Sequence, residues 1–168
     1  MIERAHQAVA EKGLAGRVKL HVGDIAELDL PDSIADVVIS NCVINLCPDK
    51  DAVYREAYRI LKPGGRLAIS DIALTEEMAP ELRERFQAAG AGCLGGAIAE
   101  SGYWRMVSDA GFGDLRTVNR HILSDDELRA LASCPGEEFC PPPSAADLAL
   151  VAGRVASVKF TAVKSRSA

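Results

Sequence analysis

Thiols are the side chains in this chain whose chemistry goes furthest beyond packing. Five cysteines stand at positions 42, 47, 93, 134 and 140. The number is odd, no two form a CxxC pair, and no basic head followed by an apolar secretory core opens the chain. Structural disulfides and a zinc ribbon are therefore poor readings, and reduced thiols are expected. A buried cysteine is most often a small hydrophobe, so position and company must decide. Cys42 follows the apolar run ADVVISN, and reads either as a strand-end core residue or as a ligand at the carboxyl end of a strand. Cys93 lies between Gly92 and the pair Gly95-Gly96, where a flexible backbone can aim a thiol. Cys47 reads as a loop bystander, with a spare third thiol as the alternative. Cys134 and Cys140 flank a proline-rich stretch, and read as an accessory thiol pair, a redox couple or two loop cysteines without a role. His6, His21 and His121 are too far apart for a metal-ligand spacing.

Elements that could carry these thiols follow from periodicity. Ile2, Ala5 and Val9 fall at helical spacing ahead of Gly13. Val18–Val22 is expected to be a strand, and so is Ala35–Asn41, whose unbroken apolar run fits a strand covered on both faces. Asp49 should cap a helix to Leu61, ended by Pro63, Gly64 and Gly65. Arg66–Leu74 is a third expected strand, Pro80–Ala89 a helix with Leu82 and Phe86 four apart, and 89–97 a glycine-rich turn. The stripe of Tyr103, Met106, Val107 and Ala110 marks a helix over 99–110 closed by Gly111. Leu115–Asn119 should be a short strand. Ser124–Ala132 is expected to be a helix with Ser124 and Glu127 as a capping box, and Val155–Lys164 a last alternating strand. Strands alternating with helices indicate an α/β fold with a mainly parallel sheet.

Composition bounds the class. With 168 residues, 48% hydrophobic and 26% charged, the chain suits one soluble domain rather than a disordered tail or a disulfide-stapled miniprotein. A net charge of −5 without a basic run gives no footprint for nucleic acid or an anionic membrane. No apolar stretch reaches the roughly 18 residues of a membrane helix, and a cytoplasmic protein is expected.

Three stretches, VKLHVGDIAELDLPDSIADVVISN, REAYRILKPGG and RLAISDIAL, together resemble a class I S-adenosylmethionine-dependent methyltransferase. With DVVISNCVINLCPDK and GAGCLGGAI added, the chain is similar to the arsenite methyltransferases from Met1 to about Phe112. The resemblance implies that Cys42 and Cys93 hold trivalent arsenic, a soft, thiophilic centre. It implies S-adenosylmethionine as methyl donor, with Asp24 and Ile25 at the adenine and Asn41 near the sulfonium. Asp24 also reads as the cap of its own turn, and Asp71 as structural or functional with equal weight. Arsenite would arrive as a thiol conjugate such as that of glutathione, and thioredoxin or another thiol would restore the reduced cysteines.

The resemblance also implies a Rossmann-like sheet that is incomplete, lacking its first two central strands, the GxGxG loop and a further arsenic-binding cysteine, and ending in an antiparallel strand. A start codon placed too late or a partial gene would each account for this. Residues 1–120 are expected to form a partial methyltransferase core and 121–168 a carboxyl-terminal extension. Strands at 18–22 and 35–41 would each lose a neighbour, so marginal stability or aggregation is expected. Two other readings stay open: another small-molecule methyltransferase of the quinone-biosynthesis kind, and an inactive thiol fragment that binds As(III).

Overall fold

The computed structural model describes residues 2–132 and 143–166. The expectations for Cys134 and Cys140 lie outside them.

The amphipathic opening forms α1 (Ile2–Glu11), which buries none of its residues. The first sheet strand is β1 (Ala35–Asn41). Next come a 3-10 turn at Ile44–Leu46 and α2 (Lys50–Ile60). Asp49 caps α2 as expected, its carboxylate accepting from the Ala52 N–H at 2.8 Å. The helix ends before Pro63: Leu61 is already extended and opens β2 (Leu61–Leu74). The register against β1 shifts between Ala35 and Val37, so the Lys62–Gly65 segment bulges from the ladder. Gly64 sits at φ +79°, which explains the glycine there.

Helix α3 (Pro80–Ala88) buries Leu82 and Phe86. The glycine-rich segment expected to be a turn contains a short helical turn, α4 (Gly92–Gly95). Helix α5 (Glu100–Asp109) buries Tyr103 and Val107, and Gly111 at φ +100° reverses the chain after it. Strand β3 (Phe112–Ile122) is longer than the expected 115–119. Helix α6 (Asp125–Ala132) carries the expected capping box: the Ser124 N–H donates to Glu127 at 2.8 Å and the Glu127 N–H to Ser124 Oγ at 3.4 Å. A further helix, α7 (Ala145–Val151), precedes β4 (Val155–Lys164).

The four described strands are ordered β1-β2-β4-β3; β1 and β2 run parallel, but β4 is antiparallel to both neighbours, so the sheet is not mainly parallel as expected. The last strand of the chain thus lies inside the sheet, between strands drawn from earlier segments. One apolar cluster packs Val53, Tyr54 and Ala57 of α2 and Tyr103 and Val107 of α5 against Leu67, Ile69, Val158 and Phe160. A second joins α3, α4, α6 and α7 to the Leu74 end of β2 and the Val155 end of β4.

Two expectations fail at one edge. Val18–Val22 is not a strand. Among the described residues no strand pairs with it, and Val22 is 84% exposed. A strand without a partner leaves its backbone groups to water and gains nothing from its propensity. For the same reason β1 is not covered on both faces: it is an edge strand, with Val37 40% and Ile39 77% exposed.

Candidate functional site

Strand β1 ends where Cys42 turns the backbone. Its φ is +54°, uncommon for a side chain with a Cβ. Its N–H still donates to the Ser70 carbonyl at 2.9 Å, so the corner is pinned to β2 before the chain leaves the sheet. The following 3-10 turn buries Ile44 and Asn45, which fixes the corner from the other side.

Asn45 is the hub beneath Cys42. Its amide nitrogen donates to Asp71 Oδ1 at 2.9 Å and to the Ile72 carbonyl at 2.7 Å. The Tyr103 hydroxyl donates to Asn45 Oδ1. The Ile72 N–H, at 2.9 Å, completes the set around Asp71 Oδ1. Asp71 Oδ2 accepts no hydrogen bond, although the residue is only 3% exposed. Burial pushes the Asp71 carboxyl up, against the backbone and amide donors that favour its charge.

Helix α4 brings the second thiol to this corner. Cys93 Sγ donates to the Cys42 carbonyl at 3.2 Å. Gly96 sets the approach: a Cβ there would fall 1.8 Å from the Asn45 carbonyl oxygen, so only glycine permits this seating of α4 on the 3-10 turn. The backbone is held further by the Arg83 guanidinium, which donates to the Ala97 carbonyl at 2.5 Å.

Cys42, Cys93 and Asp71 therefore converge, each offering a ligand atom within 4.8 Å of the others. The Cys93 thiol, burial and the Asp71 charge, in that order, push the Cys42 thiol well above the ordinary range. Cys47 lies outside this cluster; its thiol donates to the Val43 carbonyl at 3.7 Å. The nearby Lys50 ammonium donates to the Asn45 and Cys47 carbonyls at 3.3 and 3.1 Å.

Beside the corner, Ile25 and Leu28 with residues of β1, α2 and β2 line an open cavity of about 360 Å³. Ile25 and Asn41 both line it, with Val38, Ile44 and Tyr54. Asp24 does not, and its Oδ1 accepts from the Ala26 N–H at 2.9 Å, so this carboxylate caps its own turn. Asn41 and Val43, on either side of Cys42 in the chain, both line the cavity, whereas neither Cys42 nor Cys93 does. Gly96 was expected only as flexible backbone and Tyr103 only as core, and nothing local in the sequence marks Asn45. A polar residue in a short turn and a tyrosine in a core stripe carry no local mark of a buried network.

A mixed parallel and antiparallel α/β sheet with helices packed on it is the architecture of the Rossmann-like class I methyltransferases. The methyltransferase domain family matches residues 1–120, and the chain belongs to that family. It is 46% identical over 104 residues to an arsenite methyltransferase of Aquipseudomonas alcaligenes, covering 62% of this chain and 30% of that protein. It is 37% identical over 121 residues to the arsenite methyltransferase of Homo sapiens, covering 68% and 31%. Among solved structures, an arsenic(III) S-adenosylmethionine methyltransferase from Chlamydomonas reinhardtii superposes with a TM-score of 0.65 at 34% identity, covering 85% of this chain and 43% of that one. A structure from Galdieria sulphuraria, at 20% identity and a TM-score of 0.69 over 98% of this chain and 66% of that one, shares the fold. The chain thus spans about 30% of the length of the curated relatives it matches. Among the described residues, no helix is long and apolar enough to cross a membrane.

Proposed function

We propose that this chain carries the arsenic-binding half of an arsenite methyltransferase site. The observation that supports it is the convergence of Cys42 and Cys93, 51 residues apart in sequence, to within 4.8 Å. Two thiols at this separation chelate As(III): each As–S bond replaces an As–OH bond, and the thiol proton leaves in water. Two sulfurs leave arsenic pyramidal, with its lone pair free as a nucleophile. The remaining work of the protein is to hold that lone pair at near-attack distance, which is catalysis by positioning.

The methyl donor is S-adenosylmethionine, which when bound supplies an electrophilic methyl group on a sulfonium. The cavity beside Cys42 suits it in chemistry, because Ile25, Val38 and Ile44 offer apolar faces to a nucleoside and Asn41 offers an amide. Ile25 and Asn41 are the residues assigned to it. Asp24, also expected at the adenine, does not line this cavity. Arsenite as a glutathione conjugate and thioredoxin as reductant fit a site built on two reduced thiols.

Isothermal titration of the reduced chain with arsenite tests the reading. Removing one arm of a chelate forfeits its effective concentration, so Cys42→Ser or Cys93→Ser should each weaken binding by about 10²- to 10⁴-fold. Unchanged affinity in both variants would refute the assignment. Titration with S-adenosylmethionine separates the second reading, a thiol fragment without a donor site: heat from arsenite but none from the donor would favour the fragment.

A further inference from the structure

Asp71 is the member of the cluster that arsenic chemistry does not employ. A dithiol suffices for As(III), because the resulting As(SR)2OH centre carries no formal charge that a carboxylate would balance. Yet Asp71 is 3% exposed, sits within 4.8 Å of both sulfurs, and holds one oxygen in hydrogen bonds while the other has none. Buried polar atoms without partners are rare, and a buried carboxylate beside two thiols is a donor set that suits a cation. Asn45 and the Ile72 N–H fasten Oδ1, which aims the carboxylate as outer donors aim the ligands of metal centres.

We propose that Cys42, Cys93 and Asp71 Oδ2 form a binding site for a thiophilic divalent cation of the Zn²⁺ or Cd²⁺ type, with water completing a tetrahedron. The ligand set is soft enough to select such ions over Mg²⁺ or Ca²⁺. Tetrahedral zinc at about 2.3 Å from sulfur places its two sulfurs roughly 3.8 Å apart. The present separation, at most 4.8 Å, needs closure of about 1 Å or less. Binding forms two metal–sulfur bonds and one metal–oxygen bond, and the two thiol protons pass to solvent. No electron changes hands. The same thiols cannot then chelate arsenite, so these ions compete with it. This inference shares two residues with the arsenic reading but does not depend on it, because the carboxylate distinguishes the two ligands: a dication gains from an adjacent anion, and neutral arsenic does not.

The experiment uses the reduced 168-residue chain with Cys47, Cys134 and Cys140 replaced by serine. Cd²⁺ is titrated against a competing chelator and followed by the sulfur-to-cadmium charge-transfer absorbance. One equivalent should bind and should displace arsenite. Asp71→Asn should weaken Cd²⁺ by about tenfold or more, while arsenite affinity changes by less than about twofold. Absence of the absorbance band, or equal effects of the substitution on both ligands, would overturn the proposal. Should Asp71→Asn fail to fold, cadmium-113 resonance of the chain with Asp71 intact decides: a two-sulfur, oxygen-completed environment supports the site, and three or four sulfurs refute it. If the triple-serine chain binds Cd²⁺ in this way but not arsenite, the arsenic reading alone fails.

Discussion

Cys93 Sγ lies 3.2 Å from the carbonyl oxygen of Cys42, although 51 residues separate the two. The contact joins the end of a sheet strand to a four-residue helical turn, and neither element could hold a thiol there alone. The hydrogen bonds of Asn45 to the Ile72 carbonyl and to Tyr103 and the close approach at Gly96 together seat one on the other. Disturbing these supports should disturb the dithiol.

Gly96→Ala places a methyl group against the Asn45 carbonyl oxygen, at a separation of 1.8 Å before relaxation. Backbone cannot yield as a flexible side chain would, so α4 must shift. A loss of about 1 to 3 kcal/mol is expected from overpacking, measured by urea denaturation. Arsenite affinity should fall with it, whereas Ala91→Gly, at the other side of the turn, should leave the dithiol spacing intact.

Tyr103→Phe removes the hydroxyl that donates to Asn45 Oδ1 and leaves that oxygen buried without its donor. The expected cost is about 1 to 3 kcal/mol, read from the shift in urea midpoint at constant slope. A midpoint equal to that of the parent would show that the bond contributes nothing.

The raised Cys42 thiol has a pH signature. Because the proximity of Cys93, burial and Asp71 all disfavour the thiolate, Cys42 stays protonated through neutral pH and beyond. Its alkylation by iodoacetamide, followed by mass spectrometry of the peptide, should rise about tenfold per pH unit and still be rising above the pH of about 8.5 at which an ordinary thiol levels off. In urea the same site should level off near that ordinary value. A folded-state plateau below it would contradict the assigned direction.

The exposed edge at β1 should make the chain self-associate. Ile39 is 77% exposed on a strand whose outer backbone groups have no partner among the described residues. Light scattering of the 168-residue chain should grow with concentration, and Ile39→Lys should reduce it. No reduction would place the sticky surface elsewhere.

Local rules made much of the fold legible. Strands at Ala35–Asn41 and Val155–Lys164, the Asp49 cap and the Ser124–Glu127 capping box follow from apolar periodicity and from side-chain oxygens that satisfy helix-end N–H groups. These are short-range preferences, and short-range sequence carries them. Val18–Val22 has the same strand composition and fails, because a strand exists only if another lies beside it. Cys42 and Cys93 were visible by type, position and family pattern, so sequence alone determined which thiols to suspect and what soft chemistry they could serve. Tertiary structure decided the rest. It seated α4 on the turn after β1, buried Asn45 and Tyr103 beneath it, and brought Asp71 within reach of both sulfurs. The hydrogen bonds Asn45–Asp71, Cys93–Cys42 and Tyr103–Asn45 span 26, 51 and 58 residues of chain, and no periodicity or spacing encodes the packing that closes such distances.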